Sequence, residues 1–174
     1  MENIYLVGFM GTGKSTVAKE MAKLLPINIV DMDGAIETLA GTTISDIFEK
    51  QGEEAFRNME TMFLNAISKE KNQIISCGGG AVLRRENVDI MKNTGIVCLL
   101  TGSAELICER VNGSNDRPLL QNKKTVEDIK KLMDSRKEAY DYAADLTYSI
   151  DNTTSKQIAA EIVKDLALKG FFID

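Results

Sequence analysis

The sequence predicts one α/β domain with a five-stranded parallel sheet between two layers of helices. Short apolar runs alternate with amphipathic helical segments along residues 1–174, and the motif G-x-x-x-x-G-K-S follows the first run. Strands that alternate with helices favour a parallel sheet with right-handed crossovers and helices on both faces. No repeat, low-complexity tract or linker divides the chain, so we expect a single domain.

Composition excludes several classes of protein. With 21 basic and 26 acidic residues the net charge is −5, which argues against a general nucleic-acid surface. No apolar stretch reaches the roughly eighteen residues of a membrane span, and Met1-Glu2-Asn3 lacks the positive region of a secretory signal. Three cysteines without metal-type spacing suggest reduced thiols, so we expect a cytoplasmic protein. The chain has no histidine, which leaves proton transfer to other groups.

The first strand, Ile4–Val7, leads into a phosphate-binding loop. Its glycines let the backbone turn so that N–H groups cradle an anion at a helix N-terminus. Lys14 supplies charge to the outer phosphates and Ser15 a hydroxyl to Mg²⁺. The apolar spacing predicts a helix that continues to Pro26. The candidate nucleotide-binding residues are Gly11, Thr12, Gly13, Lys14, Ser15 and Thr16.

The second strand, 27–33, ends in two aspartates. In an extended chain Asp31 and Asp33 point to the same side, beyond the carboxyl end of a strand where ligands bind. One carboxylate can then face a metal and its waters, and the other an acceptor hydroxyl. The alternative is a solvated pair that caps the helix beginning near Ala35.

Residues 34–71 are predicted to be helical, with breaks at Gly41 and Gly52. Thr43–Asp46 resembles a capping box. In the last of these helices Arg57 and Glu60 lie one turn apart beside an apolar stripe, so they could simply form a surface ion pair. That stripe consists of Phe56, Met59, Phe63 and Ile67.

The third strand, Gln73–Ser76, runs into Gly78-Gly79-Gly80. Three consecutive glycines indicate a close approach to another group, although a flexible turn is the alternative. The strand lacks the aspartate with which a GTPase or motor ATPase holds its metal.

The second half of the chain continues the alternation. Strand Ile96–Leu100 is the most apolar and a candidate for the sheet centre; the helix after it, from Ser103, carries Arg110. The polar stretch 112–122 suggests an active-site lid from which Arg117 could close over phosphate, or else a solvated loop. A second capping box, Thr125–Asp128, opens a helix with Arg136, which by itself could be a surface charge. A fifth strand, 146–150, and a polar turn, 151–155, precede the last helix.

In order and spacing these segments closely resemble the shikimate kinase family, small P-loop enzymes of aromatic amino-acid biosynthesis. The resemblance implies the strand order 2-3-1-4-5, ATP with Mg²⁺, and phosphorylation of the shikimate 3-hydroxyl to give shikimate 3-phosphate and ADP. It also implies a monomer, with a shikimate-binding subdomain at about 33–60 and a mobile lid at about 112–124. The segments that carry it are 8–16, 31–33, 56–60, 78–82, 117–120 and 136–140.

The same resemblance implies roles for individual residues. Asp33 would bind the shikimate hydroxyls and act as candidate base, and Asp31 would lie near Mg²⁺. Arg57 and Arg136 would bind the shikimate carboxylate, with Glu60 holding Arg57. Gly79 and Gly80 would contact the acceptor through their backbone. Lys14 and Arg117 would be catalytic residues that contact the ATP phosphates. The residues implied for the adenine are Arg110, Asn152 and Thr153.

Three rival functions stay open at this level. A gluconate or adenylate kinase would share the loop but not the pair of arginines suited to a small carboxylate. A regulatory GTPase needs N-K-x-D, and the nearest string, Asn122–Thr125, ends in threonine. An inactive nucleotide-binding protein is disfavoured because the proposed catalytic residues are present.

Overall fold

A computed structural model describes residues 2–113 and 125–171 and contains a five-stranded parallel sheet. The strand order is β2-β3-β1-β4-β5, with helices on both faces, which confirms the predicted fold and topology. The strands are β1 (Asn3–Gly8), β2 (Asn28–Asp31), β3 (Gln73–Ser76), β4 (Gly95–Thr101) and β5 (Leu146–Ser149).

Helices connect the strands, and the predicted breaks at Gly41 and Gly52 are confirmed. In the described ranges they are α1 (Lys14–Met21), α2 (Met32–Ala40), α3 (Ile44–Gln51), α4 (Glu53–Ile67), α5 (Arg85–Thr94), α6 (Ala104–Asn112), α7 (Val126–Ala143) and α8 (Ser155–Leu168), with a 3₁₀ turn at Ala81–Leu83. The predicted capping box of Thr125 and Asp128 forms at the start of α7. Over those same ranges, none of the helices combines the length and apolarity that crossing a membrane requires.

The core is built around β1, the middle strand of the sheet. Ile4 to Val7 are fully buried because β3 and β4 pair with β1 on either side and helices cover its faces. The very apolar β4 lies one position away from the centre, between β1 and β5. The phosphate-binding loop therefore extends from the most enclosed strand of the molecule.

Two predicted boundaries differ from the structure. Helix α1 ends at Met21 rather than at Pro26, and Leu24 is 52% exposed in the turn that follows. Strand β2 ends at Asp31, and α2 begins at once with the fully buried Met32. Asp33 thus lies in the first turn of a helix, where the helix dipole favours a carboxylate. The expected extended chain through Asp31 and Asp33 is therefore wrong.

Candidate active site

The phosphate-binding loop has the backbone conformation that its glycines predict. Gly11 and Gly13 have φ of 81° and 86°, a region that favours glycine, and Gly13 immediately precedes α1. At Gly8 a Cβ would lie 2.4 Å from the carbonyl oxygen of Leu100. The loop thus ends at a helix N-terminus, where backbone N–H groups and the dipole favour an anion.

Two side chains of the loop donate hydrogen bonds to its own backbone carbonyls, whereas a third is exposed to solvent. The hydroxyl of buried Thr12 donates to the carbonyl of Phe9 at 2.8 Å and braces the turn. Lys14 Nζ donates to the carbonyls of Gly8 at 2.8 Å and Phe9 at 3.2 Å. Thr16 lies exposed on the first turn of α1. The ammonium group is therefore held directly over the loop.

A cluster of oxygen donors lies beside the loop. Ser15 Oγ lies 3.3 Å from Asp31 Oδ2 and 3.1 Å from Ser76 Oγ, and Asp31 and Ser76 are register partners at the ends of β2 and β3. Hard oxygen ligands of this kind suit Mg²⁺. The described residues contain no group of three or more His, Cys, Asp or Glu that could hold a metal.

Ser76 was not singled out by the sequence analysis. The signal was nonetheless available, because Ser76 ends β3 where a GTPase has its aspartate, and the predicted strand order makes β3 the neighbour of β2. A hydroxyl in this place contributes an oxygen without adding another negative charge.

On the acceptor side, Arg57 and Glu60 form a buried ion pair. Arg57 Nη1 donates to Glu60 Oε2 at 2.5 Å, and the exposed fractions of the two residues are 7% and 0%. Glu53 Oε1 accepts from Nη2 of the same guanidinium at 3.0 Å. The alternative of a surface pair is therefore wrong, and the expectation that Glu60 holds Arg57 is confirmed.

Burial and charge oppose one another in this pair. Burial by itself would lower the pKa of Arg57, but the carboxylates of Glu60 and Glu53 outweigh it and raise that pKa. Burial raises the pKa of Glu60, while the nearby Arg57 counteracts the shift. The guanidinium is thus a permanent positive charge in a largely desolvated position, where charge-assisted hydrogen bonds are strong.

Charged side chains pack directly on the triple glycine. A Cβ at Gly80 would lie 2.3 Å from Arg57 Nη1, and one at Gly78 would lie 2.7 Å from both Asp33 Oδ1 and Glu60 Oε1. Gly79 lies against the phosphate-binding loop, 3.4 Å from the backbone nitrogen of Met10 by the same measure. These contacts explain the glycines and exclude a plain flexible turn. They also bring Asp33 next to the Arg57–Glu60 pair.

Helix α7 contributes a second arginine from the other side. The guanidinium carbon of Arg136 lies 5.7 Å from the centre of the Phe9 ring, so the half-buried Arg136 faces the phosphate-binding loop and is no plain surface charge. One turn later Tyr140 donates a hydrogen bond to the carbonyl of Gly79. Burial raises the pKa of Tyr140 to about 12, so its hydroxyl remains a donor at neutral pH. The R-x-x-x-Y spacing was the available signal for this role of Tyr140.

The residues predicted for the adenine lie on the opposite side of the loop. Arg110 Nη1 donates to the carbonyl of Gly11 at 3.1 Å, which fixes the end of α6 against the loop. Asn152 has φ of 55° in the turn after β5, and Thr153 Oγ1 donates to the carbonyl of Asp151. Their contact with adenine stays a prediction.

Part of the predicted lid, 112–124, falls outside the described residues. Asn112 ends α6 and Gly113 follows it, but 114–124, including Arg117, are not among the residues that the structure describes. The role of Arg117 at the phosphates therefore stays a prediction from the sequence.

These segments converge at the carboxyl ends of β1, β2 and β3, the usual ligand side of such a sheet. A phosphate-binding loop with an oxygen cluster on one side and an arginine-lined glycine segment on the other defines a P-loop phosphotransferase with a small anionic acceptor. Comparison with known proteins identifies the family more closely.

The family model of shikimate kinase matches residues 10–167. A shikimate kinase of Caldanaerobacter subterraneus subsp. tengcongensis is 38% identical over 171 residues, which cover 98% of this chain and 99% of the relative. Another, of Sulfurihydrogenibium sp., is 42% identical over 163 residues, 94% of this chain and 96% of the relative. The structure of shikimate kinase from Acinetobacter baumannii in complex with shikimate superposes with a TM-score of 0.90 at 34% identity, covering 100% of this chain and 96% of the other.

The chain therefore belongs to the shikimate kinase family. The predicted activity, ATP-dependent phosphorylation of shikimate in aromatic amino-acid biosynthesis, is the activity of this family and is thereby confirmed.

Proposed function

We propose that the chain transfers the γ-phosphoryl group of ATP to the 3-hydroxyl of shikimate through the residues assembled around the triple glycine. The buried Arg57 guanidinium, packed on Gly80 beside Asp33, is the observation that carries this proposal. It places a buried guanidinium, held by Glu60, next to the phosphate-binding loop. The shikimate complex of the Acinetobacter baumannii relative supports an acceptor of this kind.

The donor is held by the loop and the segments around it. Backbone N–H groups of Gly11 to Thr16 bind the phosphates, and Lys14 exchanges its carbonyl partners for phosphate oxygens. Arg117 adds positive charge at the transferred phosphoryl group. Phosphoryl transfer depends more on such charge neutralisation than on a strong base. The adenine lies among Arg110, Asn152 and Thr153.

The oxygen cluster is suited to a magnesium ion. Ser15 would bind it directly and Asp31 through water, with Ser76 as a further oxygen in the cluster. Mg²⁺ supplies charge neutralisation at the β- and γ-phosphates when it is bound.

The acceptor is positioned by residues from three separate segments. Arg57 and Arg136 bind the shikimate carboxylate with charge-assisted hydrogen bonds, and the backbone of Gly79 and Gly80 lines the pocket. Asp33 aligns the 3-hydroxyl and accepts its proton. A loose transition state requires little basicity, so a carboxylate is sufficient in a chain without histidine.

The resemblance to the family also suggests the location, the oligomeric state and the subdomain organisation of the enzyme. We propose that the enzyme acts as a cytoplasmic monomer. Residues 33–60, which include α3, most of α2 and the first half of α4, form the shikimate-binding subdomain.

A coupled assay of ADP release with a panel of acceptors tests the proposal. Shikimate should stimulate ATP consumption strongly, whereas gluconate and AMP, the acceptors of the rival kinases, should not. Activity on either of those acceptors without activity on shikimate would refute the proposed function. Tighter binding of GTP than of ATP would instead favour the GTPase alternative.

A further inference from the structure

Arg84 joins two parts of the acceptor side without belonging to the proposed substrate contacts. It stands between the 3₁₀ turn that continues the triple glycine and helix α5, and its side chain is 24% exposed. Its guanidinium reaches across to α4, which carries Arg57. The side chain therefore connects the glycine segment to the helix that presents the proposed carboxylate-binding arginine.

Three side chains of α4 accept from this guanidinium. Nη1 donates to Asn58 Oδ1 at 2.8 Å and is 3.4 Å from Thr61 Oγ1, and Nη2 donates to Glu54 Oε1. The three acceptors are spaced at i, i+4 and i+7, so they form one stripe along two turns of the helix. Contacts distributed in this way constrain the rotation of α4 about its axis as well as its distance from Arg84.

The stripe lies beside the residues that face the glycines. Arg57 and Glu60 project onto Gly80 and Gly78, while Glu54, Asn58 and Thr61 are held by Arg84. Thr61 also donates to the carbonyl of Arg57, one turn earlier in the helix, at 3.1 Å. Because both sets of residues lie on α4, a rotation of this helix would move the Arg57 guanidinium relative to the glycine backbone.

The backbone around Arg84 is itself fixed. Leu83 N donates to the Gly80 carbonyl at 3.0 Å, and the buried Asn87 donates from Nδ2 to the carbonyl of Ala81 at 2.9 Å. The Arg84 carbonyl accepts from the backbone nitrogen of Asn87 at 3.1 Å. The hydrogen bonds of the guanidinium thus tether α4 to a hydrogen-bonded segment that includes Gly80.

Electrostatics act in the same direction. Burial raises the pKa of Glu60; Arg57 opposes this rise most strongly, and the positive charge of Arg84 adds a smaller effect in the same direction as Arg57. An ionised Glu60 is the stronger partner for Arg57. A single exposed ion pair contributes little, but here one guanidinium makes several contacts from a partly buried position.

We propose that Arg84 is a positioning residue for shikimate, because it sets the orientation of α4 and so presents Arg57 to the acceptor beside Gly80. The inference rests on the proposed role of Arg57. It predicts that loss of Arg84 weakens shikimate binding through Arg57 and leaves the nucleotide side intact.

The test measures dissociation constants for shikimate and for ATP on the full chain. Arg84→Ala should weaken shikimate binding about tenfold, as expected when a few hydrogen bonds to a charged group are lost, with ATP binding changed less than about twofold. Arg84→Lys, which keeps the charge but cannot span the stripe, should recover part of the loss. Arg85→Ala is the matched control, because this neighbouring arginine stacks on Tyr142 rather than on α4, and should leave both constants unchanged.

A double-mutant cycle separates this inference from the proposal on which it rests. In an Arg57→Ala background, Arg84→Ala should have no further effect on shikimate binding, because its effect is transmitted by Arg57. A full tenfold loss in that background would overturn the positioning role. If Arg57→Ala itself left shikimate binding unchanged, the assignment of Arg57 would fail first.

A milder variant guards against loss of folding. Glu54 is 83% exposed, so Glu54→Gln removes the charge of one partner of Arg84 without disturbing the core. It should weaken shikimate binding about twofold, the effect of one exposed ion pair. Unchanged shikimate binding in both Glu54→Gln and Arg84→Lys would refute the inference.

Discussion

At the scale of single residues, the proposed acceptor pocket is organised by the absence of side chains at Gly78 and Gly80. Arg57 occupies the space that a Cβ of Gly80 would take, and Asp33 with Glu60 occupies that of Gly78. Charged groups can approach the backbone closely only because glycine stands there. The glycines thereby determine where the charges of the pocket lie.

Gly80→Ala should weaken shikimate binding. The added methyl would lie 2.3 Å from Arg57 Nη1 and displace a guanidinium that is held by Glu60, at a cost of about 1–3 kcal/mol by analogy with overpacked cores. Isothermal titration with shikimate measures this. Gly34→Ala is the control, since its Cβ would meet nothing nearer than Cγ of Asp31 at 4.0 Å. Equal affinities in Gly80→Ala and the natural protein would contradict the packing argument.

Asp33→Asn should lower turnover while ATP binding is retained. The amide keeps the shape of the side chain but cannot take the proton of the acceptor hydroxyl. Because a loose transition state requires little basicity, we expect the loss to be smaller than the factor of about 10² or more that is typical of general-base catalysis. Steady-state kinetics at saturating ATP and shikimate give the comparison. Unchanged turnover would remove Asp33 from the mechanism, and a parallel loss of ATP binding would indicate a wider disturbance of the loop.

At the scale of elements, a carboxylate holds α6 in place beside the nucleotide side. Asp151, in the turn after β5, accepts from the backbone nitrogen of Ser103 at 3.0 Å and from its hydroxyl at 2.8 Å. Ser103 is the N-cap of α6, and Arg110 near the end of that helix contacts Gly11 of the phosphate-binding loop. Helix α6 is thus hydrogen-bonded at its start to the turn after β5 and near its end to the phosphate-binding loop.

This link should make stability depend on pH in the acid range. The Ser103 backbone N–H and hydroxyl hold the pKa of Asp151 below its ordinary value. The stabilisation is therefore complete above the ordinary pKa of about 4 and is lost as pH falls through the lower folded-state pKa. Chemical denaturation from pH 7 to pH 3 should show the free-energy difference between the natural protein and Asp151→Asn shrinking as pH falls.

Asp134→Asn, which removes an exposed carboxylate from α7, serves as the control for that series. The free-energy difference between this variant and the natural protein over the same pH range is the reference for the Asp151→Asn series. A difference for Asp151→Asn that grew on acidification would contradict the assigned sign.

Element types were predictable from the sequence, whereas some boundaries were not. The Gly41 and Gly52 breaks and the Thr125 capping box are determined locally by backbone conformation and hydrogen bonding, and they were predicted correctly. The β2–α2 boundary depends on burial of Met32 in the core, which the alternation of residues does not encode. Asp33 was consequently assigned to a strand although it lies on a helix.

At the scale of the whole molecule, strand order and family could be predicted because the motifs are spread along the chain in a specific order. The burial of the Arg57–Glu60 pair could not be derived from spacing alone, since i, i+3 pairs on a surface have the same pattern. It follows from three-dimensional packing of α4 on the triple glycine. The contact of Ser76 with Ser15 depends likewise on tertiary structure, since β3 pairs with the strand that leads into the phosphate-binding loop. The residues that meet around the loop and the triple glycine could therefore be proposed from the sequence, but how tightly they pack could not.

The central claim is that Arg57 and Arg136 bind the acceptor carboxylate, and titrations of shikimate and ATP into Arg57→Ala and Arg136→Ala test it most directly. Each substitution should weaken shikimate binding by roughly 2–4 kcal/mol, as for truncation of one partner of a desolvated charge pair. ATP binding should stay close to that of the natural protein, because neither residue is proposed to contact the nucleotide. Shikimate binding that survives both substitutions, or ATP binding that falls as far as shikimate binding, would contradict the claim.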